Sequence, residues 1–415
     1  MRKSRIGISV ICAICMIVIT GSIFSGRHIS DNIKESNNSN DTSLSSAKIE
    51  FKNDTPKLRG TLFDRNFKPL SYTAYKRDPQ EFERKYCDTP ETKLYALPMS
   101  NLIDGYSSQK EGLDLVYEQL LRTSNSTSTV DDEIGQSVRL SIDAELTRKV
   151  YDVLFELNAS EMNASVVIMK PNGEVLTMLS TPTFDLEEYK TSQTLRVSLT
   201  QSEAVKNSCR HLIEIDPYVF SDACGIISDG TIGDVGYNKF SRMLNETFLF
   251  SSSIFDEKLF GKCENGRITM KDDGTVKAYT TPLYLCQYMN LCINGQFTKP
   301  QILMDTVDTN VPDKTIENYF TSENLSTLSK DKVSRFREVY AEINNIYNFN
   351  INDNFSLYGT VSYYGNTELI CGAYVNNDPE KTYLITLYID NNDFKGIYNN
   401  DEFYSLFDRI LTLLS

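Results

Sequence analysis

Nineteen consecutive uncharged residues, Ile6–Phe24 (IGISVICAICMIVITGSIF), constrain this chain more than any other feature. At about 1.5 Å of rise per helical residue they cover roughly 28 Å, close to the hydrocarbon thickness of a bilayer. Arg2, Lys3 and Arg5 precede the segment, and Arg27 is the only strong cation close behind it. The positive-inside bias then holds residues 1–5 in the cytoplasm and exports everything after the helix. A cleaved signal peptide is the rival reading, but Ser22-Ile23-Phe24 makes a poor small-residue cleavage site. Residues 6–24 therefore read as a single-pass membrane anchor, and the rest must fold outside the cytoplasm.

Behind the anchor, residues 25–50 are polar and rich in Ser and Asn, the composition of a flexible stalk. Residues 122–137 (RTSNSTSTVDDEIGQS) form a second such stretch, predicted to link a smaller N-terminal module, 51–121, to a larger one, 138–415. In the larger module Ala144–Leu157 carries apolar residues at helical spacing. Ala164–Met169 and Glu174–Leu179 read as strands around the turn Pro171-Asn172-Gly173. Glu368–Tyr374 and Thr382–Ile389 are again strands, and Glu402–Leu414 closes the chain as a helix. The expected class is α+β, an antiparallel sheet covered by helices.

Composition removes several functions. Lys and Arg number 42 against 56 Asp and Glu, a formal charge of −14, so the basic face a nucleic-acid binder needs is not expected. His28 and His211 are the only histidines, too few for a His-rich zinc site or a His-centred triad, and no metal or cofactor is expected. Outside the anchor stand seven cysteines, an odd number that cannot all pair within one chain. Buried thiols or one incidental disulfide is the simpler account.

Five landmarks then occur in order. Arg59–Leu70 (RGTLFDRNFKPL) resembles the RGxIxDRNGxxLA entry signature of class B penicillin-binding proteins, and Gly105–Leu121 is similar to the GYxxxxGLExxYxxxL segment closing that family's N-terminal module. Ser141–Leu146 (SIDAEL) resembles its TIDxxLQ helix start, and Ala164–Asp185 its GxVVxxPxTGEILAMxSxPSFD hairpin. Thr281–Pro300 (TPLYLCQYMNLCINGQFTKP) closely follows TPLQLAxxYxxIANGGxxxxP. The resemblance implies a penicillin-binding-protein/serine β-lactamase-like transpeptidase domain over 138–415, on a pedestal module at 51–121, with the one transmembrane helix. Asp64 and Arg65 in the entry signature are expected to form a structural turn and ion pair.

Members of this family crosslink peptidoglycan. A serine attacks the penultimate D-Ala of a stem peptide, a lysine one helical turn on takes its proton, an SxN relays protons, and a KTG strand grips the substrate carboxylate. The first motif aligns with Asn207–Ser221 (NSCRHLIEIDPYVFS), placing Tyr218 at the nucleophile and Ser221 at the lysine. A phenol with pKa ~10 is protonated at neutral pH, and Ser221 supplies no base. Losing one member of such a unit costs on the order of 10⁶ in rate. In the second motif Ser251 keeps the serine and Ser253 replaces the Asn; in the third, Leu357, Tyr358, Gly359 and Thr360 stand for KTGT, with no cation. The stretch from Ser253 to Thr281 is also short for the family. Other SxxK matches, at Ser45, Ser107 and Ser329, and SxN matches, at Ser30, Ser36 and Ser322, do not fall in the required order, and no KTG or KSG occurs.

The resemblance thus implies a catalytically inactive homologue in bacterial cell-wall synthesis. Its implied partners are the membrane and a glycan polymerase of a division, elongation or sporulation complex. Two alternatives stand beside this. One is a binding module for the peptidoglycan stem peptide or a muropeptide, contacted by Ser251, Ser253, Gly359 and Thr360. The other is an active D,D-transpeptidase whose motifs lie elsewhere.

Overall fold

The computed structural model describes residues 58–75, 82–86, 97–103, 112–124, 134–156, 163–192, 212–220, 237–252, 265–271, 276–364, 367–390 and 400–415. The anchor and stalk expected over 6–50 lie outside them, as do His211, Ser221 and Ser253. No helix among the described residues is long and apolar enough to cross a membrane.

The N-terminal strands β1 (Leu62–Phe63), β2 (Pro69–Tyr75) and β3 (Phe82–Lys85) do not make a sheet of their own. They extend a six-stranded sheet in the order β12-β11-β4-β1-β2-β3, with β4 at Ser137–Leu140, β11 at Leu303–Val307 and β12 at Thr315–Asn318. The expected boundary at 122–137 is therefore a feature of the chain that the sheet itself crosses. Between β1 and β2, Asp64 is fully buried and holds the turn: Oδ1 accepts from the amides of Asn66 (2.8 Å) and Lys68 (2.7 Å). Its neighbour Arg65 pairs across the molecule with Glu174 at 3.3 Å. The expected turn is there, and the ion pair is made with Glu174.

A second buried charge sits within this module. Arg84 on β3 donates to Asp114 Oδ2 (2.9 Å), to Ser71 Oγ (2.7 Å) and to the Gly60 carbonyl (2.6 Å). Burial pushes the Asp114 carboxyl upward, but the guanidinium beside it prevails and holds it below the usual carboxylate range.

The larger sheet has five antiparallel strands in the order β14-β15-β16-β5-β6: β5 (Asn163–Met169), β6 (Val175–Ser180), β14 (Phe355–Tyr364), β15 (Thr367–Asn376) and β16 (Tyr383–Asp390). The hairpin and the two late strands read from the sequence are β5–β6 and β15–β16. Because strand side chains alternate, each strand feeds two cores. Leu369, Cys371 and Ala373 face one side; Ile370 and Tyr374 face the other.

On the second side lie helices α1 (Ala144–Glu156) and, later in the chain, α6 (Ile343–Tyr347) and the C-terminal α7 (Asn400–Leu413). Between α1 and these run α2 (Leu186–Thr191), α3 (Tyr237–Phe248), α4 (Pro282–Asn294) and α5 (Lys330–Tyr340). The first side is covered by α4, whose residues Pro282–Ile293 are all buried, as expected of a helix apolar all round. Thr281 caps it, its hydroxyl accepting from the Tyr284 amide at 3.1 Å, and Pro282 occupies the first turn. The result is three layers, helices on both faces of one sheet. A three-stranded sheet, β7-β9-β8 (Ile213–Ile215, Val276–Thr280, Gly266–Met270), and the pair β10–β13 (Gln296–Thr298, Asn324–Thr327) complete the described strands.

Candidate functional site

The three segments expected to carry chemistry do converge. Pro217–Phe220 forms a single 3-10 turn directly after β7, and Tyr218 is its second residue. This turn packs against β14, which carries Leu357–Thr360 on the exposed edge of the sheet. Ser251 sits in the turn that follows α3. Phe250 beside it meets Phe220 edge to face, ring centroids 5.2 Å apart.

An aromatic cluster, rather than a charged constellation, joins them. Phe220 also stands edge to face with Tyr288 of α4 at 5.1 Å, and Phe248 leans on the same ring at 5.4 Å. The Tyr288 hydroxyl lies 3.3 Å from the Val219 carbonyl and 2.6 Å from the Tyr340 hydroxyl of α5. Tyr284 donates to the Phe248 carbonyl at 2.8 Å. Each such aromatic pair contributes about 0.5–1.5 kcal/mol beyond its buried area. Phe250 needs one further concession: a Cβ on Gly266 would fall 2.3 Å from its ring. Burial, with Cys292 and Tyr340 close by, raises the Tyr288 phenol well above its ordinary pKa, so it is no candidate base.

Ser251 is exposed, and both its amide (3.1 Å) and its hydroxyl (2.6 Å) bond to Asn245 Oδ1 on α3. On β14 the alternation separates the third-motif residues. Leu357 is fully buried in the core beneath α6 and α7. Gly359 faces the same way; a Cβ there would stand 3.2 Å from Ile343 Cδ1 of α6 and 2.7 Å from the Cys371 carbonyl oxygen of the neighbouring strand. Tyr358 packs toward the α4 side, and Thr360 shares that face by parity. The cation met by this strand is Arg337 of α5, 5.7 Å from the Tyr358 ring centroid, its Nε donating to the Ile293 carbonyl at 2.9 Å.

Sequence reasoning did not foresee the contacts that join these segments, which involve Phe220, Phe250, Tyr288, Tyr340, Asn245 and Arg337. The pair Tyr284/Tyr288, one turn apart on the TPLYLCQY helix, was the available signal. Among the described residues no His, Cys, Asp and Glu group is arranged to hold a metal ion. The short stretch before Thr281 supplies the β8–β9 hairpin.

No protein-family model matches this chain, and no curated protein matches it. Solved structures do match. The D,D-transpeptidase domain of a peptidoglycan glycosyltransferase from Eggerthella lenta is similar over 86% of this chain and 98% of its own, with a TM-score of 0.63 at 14% identity. Penicillin-binding protein A from Mycobacterium tuberculosis, in an imipenem acyl-enzyme complex, is similar over 86% and 99%, with a TM-score of 0.62 at 12% identity. Penicillin-binding protein 3 from the same organism, in its apo form, is similar over 87% and 96%, with a TM-score of 0.59 at 17% identity. The chain thus has the penicillin-binding-protein/β-lactamase-like transpeptidase fold, α+β with helices flanking an antiparallel sheet.

Proposed function

We propose that this chain is a catalytically silent transpeptidase homologue that acts as a scaffold or regulator of a membrane-bound cell-wall polymerase complex. One observation carries the reading: Tyr218, at the nucleophile position, lies on a turn locked into an aromatic cluster, while Leu357, at the cation position, belongs to the core on the far face of β14. A fold kept whole around motif segments that aromatic packing joins supports a binding role in place of turnover. Ile6–Phe24 anchors the chain in a bacterial cell membrane by a single pass, with the C-terminal domain outside.

Labelled penicillin incubated with the full chain in detergent is expected to leave no covalent adduct; an adduct would establish an active transpeptidase and overturn the reading. Co-purification tests the scaffold. A glycan polymerase should accompany the full chain and be lost when Ile6–Phe24 is exchanged for an unrelated transmembrane helix. Recovery of no polymerase with the unaltered chain would refute it. Truncating 138–415 is not a usable control, because it removes β11 and β12 and most of β4 from the shared sheet.

A second reading is supported by β14 itself. Tyr358 and Thr360 present hydroxyls on one face of an edge strand, and Arg337 brings a guanidinium to it, an arrangement suited to non-covalent capture of a carboxylate-bearing stem peptide. Calorimetry with a pentapeptide stem distinguishes the two, since heat lost in Arg337→Leu would favour binding.

A further inference from the structure

Away from this site, a carboxyl is buried with one of its oxygens unpartnered. Glu368, near the start of β15, is only 7% exposed, and its Oε2 has no hydrogen-bond partner. Register places it directly opposite Tyr363 on β14 and Ile389 on β16. Ile389, like Ile370 and Tyr374 further along β15, belongs to the core beneath α7, so Glu368 faces that helix.

Among the described residues, the groups that face it bring no positive charge. From β14 comes Tyr363, whose hydroxyl meets that of Tyr404 on α7. From α6 comes Tyr347, its ring centroid 4.5 Å from that of Tyr404. β16 contributes the apolar Ile389 directly opposite. The Tyr363 phenol is itself raised, by burial first and then by Tyr347 and Glu368. When the group is ionised, its buried Oε2 has no donor to replace the water it has lost.

We propose that Glu368 is a proton-operated latch on the C-terminal helix. While its carboxyl carries a proton, α7 stays seated over the β14–β15–β16 end of the sheet. Once ionised, the group draws water beneath Tyr363 and Tyr404 and unseats the first turns of α7. Because α7 shares the core behind β14, on the side opposite Tyr358 and Thr360, and meets that strand at Tyr363, unseating it loosens the edge strand from behind. This inference does not depend on the proposed function.

Burial raises the carboxyl from its ordinary 4.5 to about 7. The seated form then binds the proton more tightly than the unseated form. Seating is strongest below pH 4.5, weakens as pH rises toward about 7, and levels off above that value.

Hydrogen exchange of the full chain in detergent, corrected for intrinsic rates and followed from about pH 5 to about pH 8, tests this. Opening of the amides over 400–407 should increase at least about tenfold between pH 5 and 7 and then level off. Glu368→Gln should abolish the rise, and so should Glu368→Leu, which the apolar setting accommodates. A rise of equal size in either folded variant, or no rise in the unaltered chain, would overturn the latch.

Discussion

Asp64 closes a helix that begins eighty residues later in the chain: its Oδ2 accepts the amide hydrogen of Ala144, the first residue of α1, at 3.2 Å. The same carboxyl holds two amides of its own turn, so one buried side chain joins the entry signature to the first helix of the larger module. Helix N-termini leave such donors unsatisfied, and a carboxylate there also meets the favourable end of the helix dipole.

Asp64→Ala would strand the buried Ala144 amide and release the part-buried amides of Asn66 and Lys68. A loss of about 2–4 kcal/mol is expected, read as a lower denaturant midpoint at unchanged slope. Asp64→Asn, which keeps one acceptor oxygen, should lose less.

The Arg84–Asp114 pair predicts a pH effect of definite sign. The folded-state pKa of Asp114 is depressed, so its stabilisation is present above its ordinary value of 3.8 and is lost as pH falls through the lower, folded value. Asp114→Asn should cost about 3–5 kcal/mol near neutrality, because it removes the carboxylate that pairs with the largely buried Arg84. The variant's acid-unfolding limb below pH 3.8 should also be shallower, measured by circular dichroism.

Gly359 is expected to matter for packing. An added methyl would press on the Cys371 carbonyl and on Ile343, so Gly359→Ala should destabilise by about 1–3 kcal/mol. Thermal melting should register the loss, whereas any stem-peptide binding heat per folded molecule should persist.

Restoring the two missing first-motif residues should not restore acylation. The Tyr218→Ser/Ser221→Lys double variant still has Leu357 buried on the far face of β14 and the 3-10 turn tied to Phe250 and Tyr288. Preorganised geometry contributes as much to such chemistry as residue identity. No labelled-penicillin adduct is expected on mass analysis of the variant.

What could be read from the residues alone is specific. Helical spacing over Ala144–Leu157 became α1, Ala144–Glu156, and the Pro171-Asn172-Gly173 turn became the β5–β6 connection. Five landmarks in order pointed to the transpeptidase fold, which the solved structures share. These were legible because periodicity, turn chemistry and motif spacing are local properties of the chain.

The side of the sheet each residue joins is another matter. Alternation along β14 says that Leu357 and Tyr358 face opposite ways; only the packing of α6 and α7 decides that Leu357 is the one sealed beneath helices. The same non-local packing draws β4, β11 and β12 into the sheet of the N-terminal strands, ties Phe220 to Tyr288, and buries Glu368 with one of its oxygens unpartnered. The apolar run Ile6–Phe24 is read as an anchor from the sequence alone and lies outside the described residues. Contacts between residues tens to hundreds of positions apart settle what that fold encloses, because burial belongs to the assembled layers rather than to any segment.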